Sequence, residues 1–270
     1  MPNNVALRDA IVTHPVAPGG AAFWWLGQMG YVVKTARRTL YFDPYLSPSP
    51  ARRVAPLMAP TNVTNADWVF GSHDHGDHID PAAFAGIAEA SPGAQFVCSR
   101  VARSSVVGLG IPAARVVALD EGRVDEEEGL RISAVAAAHE FLDRDPLLGY
   151  PYLSYIVEAD GVTIYHSGDT CCYEGLLTKL AAWQYDLFFV CINGRDAERY
   201  RRGCIGNMTY QEAVDLAGAL RPGLTVPGHY EMFAANSEDP GRFVDYSAAK
   251  YPGLAVWTGG HGEAVDLAAR

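Results

Sequence analysis

The sequence predicts a layered α/β protein in which two β-sheets pack face to face between outer helices. Short apolar runs with β-strand character recur from end to end of the 270 residues, and helical candidates lie between them in both halves. No repeat, no linker rich in Gly and Ser, and no shift in composition marks a domain boundary. We therefore expect a single domain over residues 1–270.

The predicted strands are short runs, most of them bounded by Gly, Asp or Pro. Several are apolar at nearly every position, which is typical of strands that are covered on both faces. The predicted strands are residues 21–27, 30–35, 39–46, 67–72, 95–100, 115–120, 130–138, 152–160, 162–169, 186–192, 224–229 and 254–260.

The predicted helices alternate with these strands. The clearest start is at Thr209, because Glu212 follows it at the spacing of a capping box. Pro222 and Gly223 then end that helix. The helical candidates are residues 79–90, 100–109, 174–184, 209–220 and 240–249.

Composition and charge exclude several classes of protein. With 49% hydrophobic and 19% charged residues, the chain is not a disordered acidic protein, and its net charge of −10 argues against nucleic acid as a partner. The five cysteines form no C-x-x-C pair, which suits a reducing compartment, and no apolar run is long enough to span a membrane. We expect a cytoplasmic protein with no membrane partner. The composition leaves open whether the protein forms a homo-oligomer.

The segment 71–80 carries the strongest chemical signal. It follows a predicted strand and contains His73, His75, Asp77 and His78 within one turn. Imidazole and carboxylate groups crowded into one turn must be solvated or bound to an ion, so they are hard to explain as core packing. The segment therefore indicates a site for a divalent metal ion.

Further ligand candidates stand at the ends of three other predicted strands. His139 follows 130–138, Asp169 ends 162–169, and His229 ends 224–229. Side chains at such positions converge on one edge of a sheet. A single histidine there would more often be structural, but three such positions together with the turn 73–78 favour a metal centre.

These positions together resemble the motif of the metallo-β-lactamase superfamily, in full and in order. The resemblance implies the four-layer αβ/βα sandwich, with the site at one edge between the two sheets. It also assigns the ligands: His73, His75 and His139 to one metal ion, Asp77, His78 and His229 to a second, and Asp169 as the bridge between the two ions.

A second similarity suggests a substrate. The segments 16–31, 73–80, 165–170, 193–209 and 227–233 are similar to the L-ascorbate-6-phosphate lactonase branch of this superfamily. Enzymes of that branch carry an Asp near the position of His139 and favour Mn²⁺. Here His139 completes a histidine-rich set, which makes Zn²⁺ the alternative, with one or two divalent ions as cofactor.

The resemblance implies a metal-dependent hydrolase that uses a metal-bound hydroxide to open a lactone or cleave an ester. Asp77 is the predicted catalytic residue, which orients the nucleophile or takes up its proton. The substrate is expected to be small and anionic, similar to a sugar phosphate.

Three residues are candidates for binding that substrate. Arg195 begins a run of four arginines within residues 195–202 and stands nearest to a strand end, where a guanidinium could bind phosphate. The alternative is a solvated loop whose arginines pair with nearby acids. Asn193 belongs to the same segment, and Tyr150 lies with Tyr152 in a predicted loop over the site.

Other functions stay open at this point. Two metal ions also serve phosphodiester hydrolysis, so a phosphodiesterase acting on cyclic or short nucleotides is the nearest alternative. A di-iron redox protein is disfavoured, because relatives of that kind resemble His-x-Glu-x-Asp-His and His75 stands at the position of that Glu. A non-catalytic binding protein is disfavoured because all seven ligand positions are kept.

Overall fold

Two β-sheets form the centre of the structure, which is a computed structural model that describes residues 5–269. Residues 1–4 and 270 of the expected domain lie outside the described residues. The first sheet has the order β13-β1-β2-β3-β4-β5-β6. Its strands are β1 (Ala21–Gly27), β2 (Gly30–Thr35), β3 (Thr39–Phe42), β4 (Trp68–Phe70), β5 (Gln95–Ser99), β6 (Val116–Leu119) and β13 (Val265–Leu267).

The second sheet has the order β12-β11-β10-β9-β8-β7. Neighbouring strands from β7 to β10 are antiparallel, whereas β10, β11 and β12 run parallel to one another. In the first sheet, β3 to β6 are the parallel strands. The strands of the second sheet are β7 (Val124–Glu127), β8 (Leu130–Ala136), β9 (Leu153–Ala159), β10 (Val162–His166), β11 (Leu187–Cys191) and β12 (Leu224–Gly228).

Helices cover the outer faces of the two sheets. In β1, Phe23 and Trp25 point into the core shared with the second sheet, whereas Trp24 points to the opposite face, as the two-residue period of a strand requires. The outer face of the first sheet packs on α1 (Ala6–Thr13), α2 (Pro81–Ala90) and α3 (Arg103–Gly108), and the second sheet packs on α4 (Leu176–Leu180), α6 (Tyr210–Leu220) and α7 (Pro240–Lys250). These layers confirm the predicted four-layer αβ/βα sandwich.

The helix boundaries follow their local signals. The capping box at Thr209 and Glu212 is formed, so α6 begins at Tyr210. Asp80 caps α2 with Pro81 in the first turn, which places the start of that helix two residues after the predicted one. Within residues 5–269, no helix has the length and hydrophobicity needed to cross a membrane.

Some sequence predictions differ from the structure. The predicted strand 254–260 is not a strand: only Val256 forms an isolated bridge, to Thr225, before the Gly259-Gly260 pair. Conversely, β7 was not predicted, because it is an acidic edge strand without an apolar face. Helix α1, the five-residue helix α5 (Ala197–Arg201) and strand β13 were also not predicted.

Candidate metal centre

The predicted ligands lie together where strand ends of both sheets meet. The turn 71–80 follows β4 of the first sheet, while His139, Asp169 and His229 follow β8, β10 and β12 of the second. Hydrogen bonds from the backbone N–H groups of His75 to the carbonyl of His73, and of His78 to the carbonyl of His75, close the turn tightly. The convergence predicted from strand ends is thus what the structure shows.

Three overlapping groups of side chains could each hold a metal ion, because their ligand atoms lie within 4.8 Å of one another. The first group is His73, His75 and His139, and the second group is Asp77, His78 and His229. His73, His78 and Asp169 form the third combination, which joins the other two. These groups have the membership that the resemblance implies, and the ligand roles themselves stay a prediction.

Asp169 lies between the first and second groups. Its Oδ2 is 3.7 Å from Nε2 of His139 in the first group and 3.1 Å from Nε2 of His229 in the second. Its Oδ1 is 3.5 Å from Nε2 of His78. One carboxylate therefore faces both groups, which is the arrangement that a bridge between two ions requires.

The unsatisfied polar atoms of the site fit a bound cation. Nε2 of His78 and Oδ1 of Asp169 are buried and have no hydrogen-bond partner within the described residues. Buried polar atoms without a partner cost roughly 1–3 kcal/mol each, so they need an explanation. Since both atoms are good ligands for a divalent ion and face each other at 3.5 Å, a metal ion would satisfy them together.

Asp43 orients His78, and the sequence analysis did not identify it. The fully buried Asp43 follows β3 and adopts a left-handed φ of 39°. Its Oδ2 accepts hydrogen bonds from Nδ1 of His78 at 2.6 Å and from the hydroxyl of Ser72 at 2.7 Å. These contacts fix the imidazole so that Nε2 faces the site. The sequence analysis placed Asp43 inside the predicted strand 39–46, whereas β3 ends at Phe42. The signal that identified Asp169, an aspartate at the end of a strand, was therefore hidden here.

Burial and charge set the protonation of the cluster. Burial lowers the pKa of His73 well below its ordinary value, and it lowers the pKa of His139 as well. Burial opposes ionisation of Asp169, but the nearby His229 and His78 outweigh it and hold the pKa of that carboxyl well below its usual range. His78 differs, because Asp169 and two other nearby carboxylates outweigh burial and raise its pKa well above the ordinary value. Neutral imidazoles and an ionised carboxylate are the forms that bind a divalent ion, so an ion at His78 would have to replace a proton.

Gln28 is a second residue that the sequence analysis did not single out. It lies in the turn between β1 and β2, is fully buried, and adopts a left-handed φ of 57°. Its side-chain Nε2 donates to Oδ2 of Asp77 at 2.7 Å and lies 3.2 Å from Nε2 of His229. Its carbonyl accepts from the backbone N–H of His229 at 3.0 Å. Gln28 thus ties the first sheet to the second ligand group.

A cavity of about 240 Å³ lies over the two groups. Tyr152 borders the first group, because its ring centroid is 5.2 Å from that of His139 and 5.4 Å from that of His73. The other wall of the cavity comes from the segment after α5 and from the loop that precedes α7. The cavity is lined by His75, Asp77, His139, Asp169, Gly203, Cys204, Ile205, His229 and Asn236.

The predicted substrate residues lie outside that lining. Arg195 forms a bidentate ion pair with Glu212, with both nitrogen–oxygen distances at 2.6 Å, and also donates to the carbonyl of Asn207. Asn193 is fully buried and joins the side chains of Asn207 and Asn236. The geometry favours the paired-arginine alternative, and a role of Arg195 or Asn193 in substrate binding stays a prediction.

Tyr150 also lies apart from the ligands. It packs against the core between the sheets, its backbone N–H donates to Asp120, and the guanidinium of Arg144 lies 5.7 Å from its ring centroid. Of the two tyrosines in the predicted loop, Tyr152 is therefore the one beside the histidines. The sequence could not separate them, because both follow the same loop at a spacing of two residues.

Comparisons with known proteins agree with this architecture. A family model described as "Beta-lactamase superfamily domain" matches residues 38–230. A metal-dependent hydrolase of Opitutus terrae is 28% identical over 245 residues, which cover 90% of this chain and 98% of the relative. A relative from Escherichia fergusonii is named "Probable L-ascorbate-6-phosphate lactonase". It is 24% identical, and the alignment covers 87% of this chain and 76% of the relative.

The solved structure of a metallo hydrolase from the archaeon Ignicoccus hospitalis has the same fold. It superposes with a TM-score of 0.74 at 22% identity, over 93% of this chain and 100% of the other. The family match covers more than half of the chain and includes every predicted ligand. The chain therefore belongs to the metallo-β-lactamase superfamily of metal-dependent hydrolases.

Proposed function

We propose that this protein hydrolyses a small lactone or carboxylic ester with one or two divalent metal ions, Zn²⁺ or Mn²⁺, as cofactor. The observation that carries the proposal is the convergence of seven imidazole and carboxylate side chains, five of which line one cavity, with Asp169 facing both ligand groups. The residues that would hold the ions are His73, His75, Asp77, His78, His139, Asp169 and His229.

Bound divalent ions would supply a water of lowered pKa and positive charge for the oxygen of the substrate carbonyl. The protein holds the ligand side chains in position. Asp43 holds the ring of His78, and the backbone carbonyl of Gln28 anchors His229, so ligands from both sheets keep their orientation. These contacts are made before substrate arrives, so no reorganisation of the ligands is needed during the reaction.

Asp77 is the proposed catalytic residue. Its side chain is 23% exposed and lines the cavity, whereas His78 beside it is fully buried. Its Oδ2 accepts from Gln28, which fixes the direction of the carboxylate. An aspartate held in this way at the cavity floor can orient a water molecule and take up its proton.

The cavity favours a small substrate, because about 240 Å³ is below the range of roughly 300–1,000 Å³ found for drug-sized ligands. The charge of the bound ions would favour an anionic one. Tyr152 and Ile205 provide the apolar surface for the part of the substrate that does not react. The name of the Escherichia fergusonii relative supports a lactone as the first candidate.

The test is a screen of the metal-loaded protein against lactones, carboxylic esters, sugar phosphates and phosphodiesters. We expect hydrolysis of at least one lactone or ester, with loss of turnover after removal of metal by a chelator and recovery when Zn²⁺ or Mn²⁺ is returned. Hydrolysis of phosphodiesters alone would contradict the proposal, and so would turnover that persists without metal.

A further inference from the structure

The two ligand groups differ in what their metal-binding atoms touch. In the first group, Nε2 of His73 lies 2.9 Å from Nδ1 of His75, which is a contact between members of the group. Within residues 5–269, no side chain from outside the group donates to those atoms or to Nε2 of His139. The first group is therefore open to an ion from the cavity side.

In the second group, the side chain of Gln28, which is not a predicted ligand, contacts two of the three atoms that would bind the ion. Oδ2 of Asp77 lies 3.9 Å from Nε2 of His229 and 3.7 Å from Nε2 of His78. The side-chain Nε2 of Gln28 reaches two of these three atoms, at 2.7 Å and 3.2 Å. The amide of Gln28 therefore makes hydrogen bonds to atoms that an incoming ion would need as ligands.

The orientation of the Gln28 amide follows from its contacts. The opposite orientation would place the amide oxygen 2.7 Å from a carboxylate oxygen of Asp77, which is repulsive. Among the residues that the structure describes, Oε1 of Gln28 has no hydrogen-bond partner, so the contacts of Nε2 hold the side chain in place. The backbone of Gln28 is also held, because its carbonyl accepts from Trp25 and from His229.

We propose that Gln28 competes with metal for the second ligand group, so that the chain binds one divalent ion tightly and a second ion at least about tenfold more weakly. The inference rests on the metal centre of the proposed function. A second ion needs the one lone pair of Nε2 of His229, which the amide of Gln28 already engages at 3.2 Å. Losing one hydrogen bond has about that effect on affinity (~1.4 kcal/mol). The first ion meets no such competitor.

The experiment titrates Co²⁺ into the full-length chain after dialysis against a chelator, with calorimetry for the two dissociation constants and visible absorption for the coordination of each ion. His73→Ala and Asp77→Ala assign the two steps to the first and second groups. For the wild-type chain we expect two steps whose dissociation constants differ by at least about tenfold, with the tighter one lost in His73→Ala.

Two substitutions at Gln28 test the competition. Gln28→Met keeps the length of the side chain and removes its donor, while Gln28→Leu also removes the donor, and neither adds an oxygen that could bind metal. Both should tighten the second step about tenfold and leave the first within about twofold. Gln95→Met, at a partly buried glutamine of β5 away from the site, is the matched control and should change neither step.

Several outcomes would overturn the inference. Equal affinities for both ions in the wild type would contradict it, as would an unchanged or weakened second step in the Gln28 variants, which would make Gln28 a residue that supports the second group. If Gln28→Met does not fold, the Gln28→Leu titration decides alone. Because the readout is binding, missing hydrolase activity contradicts only the proposed substrate class, whereas missing Co²⁺ binding contradicts the metal centre as well.

Discussion

The histidine-rich turn 73–78 and the arginine-rich segment 195–202 are both dense in polar groups, but they differ in whether those groups have partners within the protein. In the turn, Nε2 of His78 is buried and has no hydrogen-bond partner in the described part of the chain, and the side chains converge with those that follow three other strands. In the arginine segment, the charges are balanced within the protein: Arg195 pairs with Glu212, and Arg201 and Arg202 both pair with Glu198.

The difference teaches which charge clusters point to a ligand. A cation that already has an acidic partner needs no external group, whereas a buried polar atom without a partner does. Arg195 is also tied to local structure, because Glu212 serves the capping box of α6 at the same time. A substrate phosphate would have to displace a pair that stabilises the start of a helix.

The largest effect is expected at Asp77. Asp77→Ala should lower kcat by about 10²–10⁴-fold, because it removes the group proposed to take up a proton from the attacking water. Steady-state kinetics on the best lactone or ester of the screen would measure this, with circular dichroism as the control for folding. An unchanged kcat would remove Asp77 from the mechanism.

Asp43→Asn should lower metal affinity or activity by about 10–100-fold, as is typical when a residue that orients a metal ligand is changed. The reason is that the charge beside Nδ1 of His78 is lost while the shape is kept. Metal content after dialysis would show it. Asp67→Asn is the matched control, because Asp67 precedes β4, at the end away from the metal centre, and accepts a hydrogen bond from the backbone of Thr39. Equal metal content in both variants would contradict the role of Asp43.

Arg195→Ala should reduce the free energy of unfolding by about 1 kcal/mol and reduce turnover of phosphorylated and unphosphorylated lactones to the same extent. The exposed Arg201 pairs with the exposed Glu198, so the free energy of unfolding of Arg201→Ala should stay within about 0.5 kcal/mol of wild type. Urea unfolding and paired kinetics would measure both effects. A selective loss on the phosphorylated substrate would instead make Arg195 a phosphate-binding residue.

The contribution of the Arg195–Glu212 ion pair to stability should depend on pH. Partial burial opposes ionisation of Glu212, but hydrogen bonds from Arg195 and Thr209 outweigh it and lower the pKa of that carboxyl below its ordinary value of 4.5. The pKa of Glu212 is lower in the folded state than in the unfolded state. The ionised carboxylate therefore contributes its whole stabilisation at pH values above the ordinary pKa, and this stabilisation is lost as the pH falls through the folded-state pKa. Glu212→Gln should therefore destabilise the protein at neutral pH and less so in acid, as urea unfolding at both pH values would measure. A difference that stays constant with pH would contradict the pairing.

Much of the fold and of the site could be predicted from the sequence, for identifiable reasons. Strands such as β1 and β11 are buried on both faces and therefore carry long apolar runs. The predicted ligands His139 and His229 are of a rare chemical type and stand after strands. Strand β7 could not be predicted in this way, since its sequence is acidic and its stability comes from pairing with β8.

The supporting contacts of the site were harder to predict, because they depend on tertiary structure. Gln28 reaches Asp77 from a different part of the same sheet, and nothing in its local sequence indicates that contact. Likewise, the sequence shows four arginines near one another but not that Glu212 faces Arg195. Residue type and position indicate candidate ligands, whereas the hydrogen-bond and ion-pair partners of a side chain are decided by tertiary packing.

The most direct test of the central claim is a crystal structure of the Zn²⁺-loaded protein with anomalous scattering recorded at the zinc edge. We predict an anomalous peak among His73, His75 and His139, a second and weaker one among Asp77, His78 and His229, and Asp169 between them. Anomalous density located elsewhere, with these side chains unliganded, would contradict the account.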